Sequence, residues 1–177
     1  MAGLAAVGFL AGLAMPHLRK LAMQGGEALL TRGGDWFDVI KLEHRAVEKS
    51  LDVLVSTDDH ETGKRQALLT KIAYSLNKHA VQEENAIYPA LRAKDADAAM
   101  HLVEDHADIK TLIAELQYEL AKDDPQWIAR ARQLRDAVVT HAREEEETIL
   151  LNFHNSMSEE ENADISRRLN WEGAKVA

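Results

Sequence analysis

Two short stretches of the chain, HAVQEE at residues 79–84 and HAREEE at residues 141–146, each set a glutamate four residues after a histidine. On a helix, residues four apart project side by side, so each stretch aims one imidazole and one carboxylate at a common point. Two more histidines share the register. One and the same interval separates His44 from His106, His79 from His141 and Glu83 from Glu145. The chain therefore reads as two helical hairpins related by an internal repeat, each supplying His, His and Glu.

Four imidazoles and two carboxylates in one core layer form a donor set of nitrogen and oxygen. The chain has no cysteine, which removes disulfides, thiolate catalysis and iron–sulfur ligation together. Burying an ion without compensation costs several kcal/mol, and two buried glutamates also repel each other. Two divalent cations bridged by the carboxylates would offset that cost. Such ions stay short of six-coordination, leaving positions for water, hydroxide or a small ligand. Zinc prefers a closed tetrahedron and calcium or magnesium prefers oxygen alone, so iron is the first expectation and manganese the second. A hydrogen-bonded polar network without metal is the alternative reading of the same six positions.

These side chains need long helices to carry them. At 177 residues and 46% hydrophobic content, the chain can bury one good core, which favours one domain with tails. Apolar residues recur at three and four in four segments, about 35–56, 62–92, 96–121 and 124–153. Their seams carry Phe37, Ile40, Val47, Leu51 and Leu54; Leu69, Ile72, Leu76, Ala86 and Ala90; Ala99, Leu102, Ile109, Ile113, Leu116 and Leu120; and Trp127, Ala131, Leu134, Val138 and Ile149. His44, His79, Glu83, His106, His141 and Glu145 fill the gaps in those seams. Counted from the turns, the second-, third- and fourth-helix ligand positions fall within one helical turn of each other at about 1.5 Å per residue. Short polar connections predict an all-α, up-down-up-down four-helix bundle over residues 35–155. Asp124 and Pro125 mark the start of the fourth helix, and Pro89 should kink or stop the second about a turn past Asn85. Ser158 and Glu161 read as a capping box that opens a short terminal helix in the tail, residues 156–177.

Residues 1–34 differ from the rest, being apolar, rich in glycine and alanine, and basic in balance. Their longest apolar run, Ala2 to Met15, is below the roughly 20 residues of a spanning helix, and no basic residue precedes it as in a secretory signal. The expectation is an extra helical segment in a cytoplasmic protein, with residues 1–30 serving either self-association or contact with a membrane surface. A net charge of −9 argues against a nucleic acid partner.

Further candidates flank the six. Glu84 and Glu146 could orient or replace ligands, and Glu48 lies four residues after His44 beside the seam. Tyr74, Tyr88 and Tyr118 could approach a metal but also suit half-buried packing. His17, His60, His101 and His154 fall in tails, loops or off the seam. No array for nucleophilic catalysis and no phosphate-binding glycine loop occurs. None of the eight histidines has the glutamate three residues before it that a ferritin-type site needs.

The segments EHRAV around His44, HAVQEENAIYPAL from His79, EDHADI around His106 and HAREEEETIL from His141 resemble the hemerythrin-like proteins of the HHE cation-binding kind. The resemblance implies a non-haem di-iron centre, oxo- or hydroxo-bridged, held by His44, His79, Glu83, His106, His141 and Glu145. It also implies reactivity with oxygen, peroxide or nitric oxide. The oxygen carriers of the family place another histidine where this chain has Lys110, so the centre here is more open. The expected function is binding or sensing of one of these small ligands. Turnover of peroxide or nitric oxide in stress protection, or iron storage and donation, are the alternatives.

Overall fold

The computed structural model describes residues 34–176, so the N-terminal segment expected to self-associate or meet a membrane lies outside the described residues. The described chain is helical, with no strand among the described residues. Helix α1 (Trp36–Val55) is followed by α2 (Thr62–Gln82), a π-helical turn (Glu83–Ile87) and α3 (Tyr88–Lys94), which run on as one rod. A single residue, Asp95, turns the chain into α4 (Ala96–Ala114), which ends in a second π turn (Glu115–Glu119). The fourth rod comprises α5 (Pro125–Glu144), a third π turn (Glu145–Ile149) and α6 (Leu150–Asn155). Together these make a helical bundle, and α7 (Glu159–Lys175) packs against α1, α2 and the first π turn. No described helix is long and apolar enough to cross a membrane.

Side-chain caps set where the helices begin. Asp35, Asp95 and Asp124 accept from the backbone N–H of Phe37, Ala98 and Gln126 at 2.9, 3.0 and 2.7 Å. Each such cap stabilises by about 1 kcal/mol, because it satisfies an amide the helix itself leaves free. The Ser158–Glu161 capping box forms as expected, with Glu161 N–H donating to Ser158 and Ser158 N–H donating back to the Glu161 carboxylate. The helix it opens runs 17 residues, further than the start signal alone foretells. Its residue Asn162 accepts from the Trp36 indole at 2.8 Å, tying α7 to the start of α1.

The seams of the first turns are buried as their spacing predicts, and the spacing fails only past the π turns. Ala90 and Ile149 are half-buried, while Leu91 and Leu150 occupy the core. A π turn adds one residue to the repeat, so the core-facing position moves from four residues on to five. Pro89 does not stop its rod. It lies in the first turn of α3, where the ladder has just changed register, and the helix continues to Lys94. Leu120 is likewise half-buried, because the rod ends at Glu119 and the chain turns extended there.

One buried cation fastens the far end of the bundle. Arg65 is fully buried, donates to the Thr57 hydroxyl and carbonyl, to the Lys122 carbonyl and to Asp59, and lies over the Trp127 ring at 5.0 Å. It thus holds the α1–α2 connection to the one before α5. Arg65→Ala is expected to destabilise by about 2–4 kcal/mol, since buried carbonyls lose their donors, and the midpoint of urea unfolding reads this. A change as small as that of an ordinary surface substitution, about 0.5 kcal/mol or less, would contradict this role.

Candidate metal centre

The six seam residues predicted to face one another do converge. His44 comes from α1, His79 from α2, His106 from α4 and His141 from α5, while Glu83 and Glu145 each open a π turn. The histidines are 3–4% exposed and both glutamates 0%. Glu83 reaches His79 Nε2 and His106 Nε2, each at 3.2 Å. Glu145 reaches His44 Nε2 at 3.3 Å and His141 Nε2 at 3.6 Å. Each carboxylate therefore meets one imidazole of its own rod and one from the other hairpin, as a twofold repeat requires.

A ring of carboxylates stands behind the imidazoles. His44 Nδ1 meets Glu146 at 2.9 Å, His79 Nδ1 meets Glu43 at 3.1 Å, His106 Nδ1 meets Glu84 at 2.9 Å and His141 Nδ1 meets Asp105 at 3.4 Å. A carboxylate beside Nδ1 holds the ring proton there and leaves the Nε2 lone pair for the interior. Metal-binding histidines are typically braced in this way, which fixes the ring and makes it a stronger donor. His44 Nε2 and His79 Nε2 lie 3.0 Å apart, so without a cation they must share a proton or oppose two lone pairs.

Some of the buried atoms that lack a partner also fall in this layer, while Gln82 Oε1 and Glu115 Oε2 lie outside it. Glu83 Oε1 and His141 Nε2 are buried without a hydrogen-bond partner, and Glu145 Oε2 has only the approaches of His44 and His141. Each such group costs about 1–3 kcal/mol, a cost that a coordinated cation would remove. Two overlapping groups, His44, His79, His141 and Glu145, and His79, Glu83, His106 and His141, bring their ligand atoms within 4.8 Å of one another. The donors present therefore fit a metal site.

Protons respond to the same charges. Burial pulls His44 and His79 toward the neutral form, yet the adjoining carboxylates outweigh it, raising His44 and raising His79 well above the ordinary histidine value. Burial pushes Glu83 upward, but His79 and His106 hold it well below the usual carboxylate range. A proton on His44 or His79 thus supplies part of the positive charge that the buried carboxylates face.

Tyr88 is the residue that sequence reasoning failed to select. Its hydroxyl donates its one proton to Glu145 at 2.8 Å and lies 3.1 Å from the Glu83 carboxylate and 3.3 Å from His106 Nε2. Burial and the two carboxylates push its phenol well above the ordinary tyrosine value, which keeps it a donor. Tyr88 lies five residues after Glu83, out of line on an α-helix and in line across a π turn. Its counterpart one repeat interval on is Leu150, so the phenol breaks the twofold repeat. Tyr88→Phe is expected to destabilise the metal-free protein by about 1–2 kcal/mol through loss of this charge-assisted bond. An unchanged urea midpoint for the metal-free variant would contradict that.

The other candidates separate cleanly. Glu84 and Glu146 brace His106 and His44, as was one expectation for them. Glu43 and Asp105 were not foreseen, although they too stand one repeat interval apart and each precedes a seam histidine. Glu48 is half-buried and joins no ion pair in the centre, and Tyr74 and Tyr118 are exposed. His154 pairs with Asp35 and stacks on Phe37, His60 is exposed, and His101 pairs with Glu144 at the surface. His17 lies outside the described residues.

Comparison with known proteins agrees with this geometry. A protein from Nostoc sp. (strain PCC 7120) named DNA nickase is 29% identical over 125 residues, 70% of this chain and 35% of its own length. The chain thus spans about a third of that relative. The family model for the hemerythrin HHE cation binding domain matches residues 36–151, which include all six converging side chains. The chain belongs to the hemerythrin HHE cation-binding domain family.

Proposed function

We propose that His44, His79, Glu83, His106, His141 and Glu145 hold two iron ions and that the centre binds or senses oxygen, peroxide or nitric oxide. The observation that carries this reading is the inward convergence of four imidazole Nε2 atoms, each backed by a carboxylate at Nδ1. Bound iron would supply open coordination positions and a change of oxidation state. The chain supplies the rest. Glu43, Glu84, Asp105 and Glu146 orient the rings and strengthen them as donors, which favours a highly charged ion. Tyr88 lies between Glu83 and Glu145 and holds them together on one side of the layer.

The test is to load the protein with iron, count about two metals per chain, and follow its near-ultraviolet and visible absorption as each ligand is added. A reversible band supports binding. Repeated consumption of peroxide or nitric oxide supports turnover, which the solvent-open cavity beside the imidazoles favours as the second reading. Ready loss of iron to a mild chelator supports donation. The relative's printed name suggests a further arm, incubation of the iron-loaded protein with supercoiled plasmid. With a net charge of −9, the expectation is that the plasmid stays closed. Failure to retain any transition metal would sink the proposal.

A further inference from the structure

The repeat that shapes the metal layer is broken in one more place, at the way in. Helices α1 and α5 pack closely, whereas their counterparts by the repeat, α4 and α2, meet at few points. The side chains explain the difference. On the closed side Arg135 reaches across to Asp52 at 2.7 Å. The positions equivalent to these by the repeat, on the open side, are Ala73 and Ala114, which span nothing. A cavity of about 240 Å³ remains between α2 and α4, with the rings of His44, His79, His106 and His141 in its lining.

That cavity is far larger than a diatomic ligand needs. At about 30 Å³ per water, it equals roughly eight waters. Its walls are aliphatic, including Leu76, Ala80, Ile109, Ile113 and Val138. Polar groups stand at the rim, where Asn77 and Lys110 are exposed and Lys110 pairs with Glu84 at 2.8 Å. Neither Glu83, Glu145 nor Tyr88 lines it, so a ligand entering here meets the imidazole face of the layer. An apolar-walled pocket with one polar end selects a molecule of matching polarity.

We infer that this cavity takes a short aliphatic oxygen donor, a chain of about four to six carbons ending in a hydroperoxide or carboxylate, with that end directed to the metal layer. The assignment rests on the metal-binding reading above and deepens it by naming the ligand class. Aliphatic carbons replace water along Leu76, Ile109 and Ile113, while the oxygen end faces the four imidazoles.

Cobalt(II)-loaded protein tests this without redox chemistry, because its visible absorption reports ligands reaching the metal. Pentanoate and acetate share a head group and differ by three methylenes, so pentanoate is expected to bind roughly 50-fold more tightly when all three are buried. Ala73→Phe, which fills the cavity, and Asn77→Trp, which covers its exposed rim, should each remove that preference and leave acetate within about twofold. On iron-loaded protein supplied with ascorbate as the two-electron reductant, pentyl hydroperoxide reduced to pentanol and water at lower half-saturation than hydrogen peroxide is reduced to water identifies the hydroperoxide. Inhibition by pentanoate with no such advantage identifies the carboxylate. Equal affinity for acetate and pentanoate, or variants that keep the preference, overturns the inference while the metal reading stands. No cobalt uptake, visible before any organic probe is added, overturns both.

Discussion

Replacing the two buried carboxylates together, Glu83→Gln and Glu145→Gln, is expected to give a folded protein that no longer retains metal. Each carboxylate faces two imidazole nitrogens from different hairpins at 3.2 to 3.6 Å, and each is fully buried. Glutamine keeps the shape but loses the charge that attracts a cation. Its amide can donate to the inward Nε2 atoms, so the interior gains partners in place of opposed lone pairs. Elemental analysis after loading should fall from about two metals per chain to below a tenth of that, taking a loss of several kcal/mol per site at about 1.4 kcal/mol per tenfold. Circular dichroism should still show the helical fold. Two metals retained at the original affinity would mean that these glutamates are not ligands.

Removing the metals from the unaltered protein should lower its melting temperature by about 10 °C or more. A ligand that binds only the folded state stabilises it by roughly 4 kcal/mol at a thousandfold excess over its dissociation constant. For a chain of this size each kcal/mol corresponds to about 2–4 °C. Part of that binding free energy is the relief of buried atoms of Glu83 and His141 that have no other partner. Calorimetry before and after chelation reads the shift, and restoring iron should reverse it. The Glu83→Gln, Glu145→Gln protein is the control, and its melting should ignore the chelator. Coincident melting curves for the loaded and stripped unaltered protein would mean that the metals do not contribute to the fold.

The layer of six donors was legible because two regularities coincide there. Seam positions at three and four fix which side chains face inward, and the common interval between the two halves fixes which of them share a height. Every prediction up to Glu83 and Glu145 uses only the α-helical period, and it holds as far as those residues. Beyond them Ala90 and Ile149 were expected in the core where Leu91 and Leu150 are found. The cause is a change of hydrogen bonding in which Tyr88 N–H and Leu150 N–H reach back five residues, to Glu83 and Glu145. Nothing in the local composition at 83–87 or 145–149 announces that change.

The sequence by itself determined an all-α bundle, the six converging donors and the pairing of the two halves, because these follow from periodicity along single helices and from a constant interval between them. Only the tertiary structure decided that Tyr88 bridges the carboxylates, that Glu43 and Asp105 brace His79 and His141, and that α2 and α4 part over a cavity. Those outcomes depend on how neighbouring helices are rotated and spaced. Rotation is set by π turns, and spacing by which cross-helix side chains are long or short, and a one-dimensional pattern records neither.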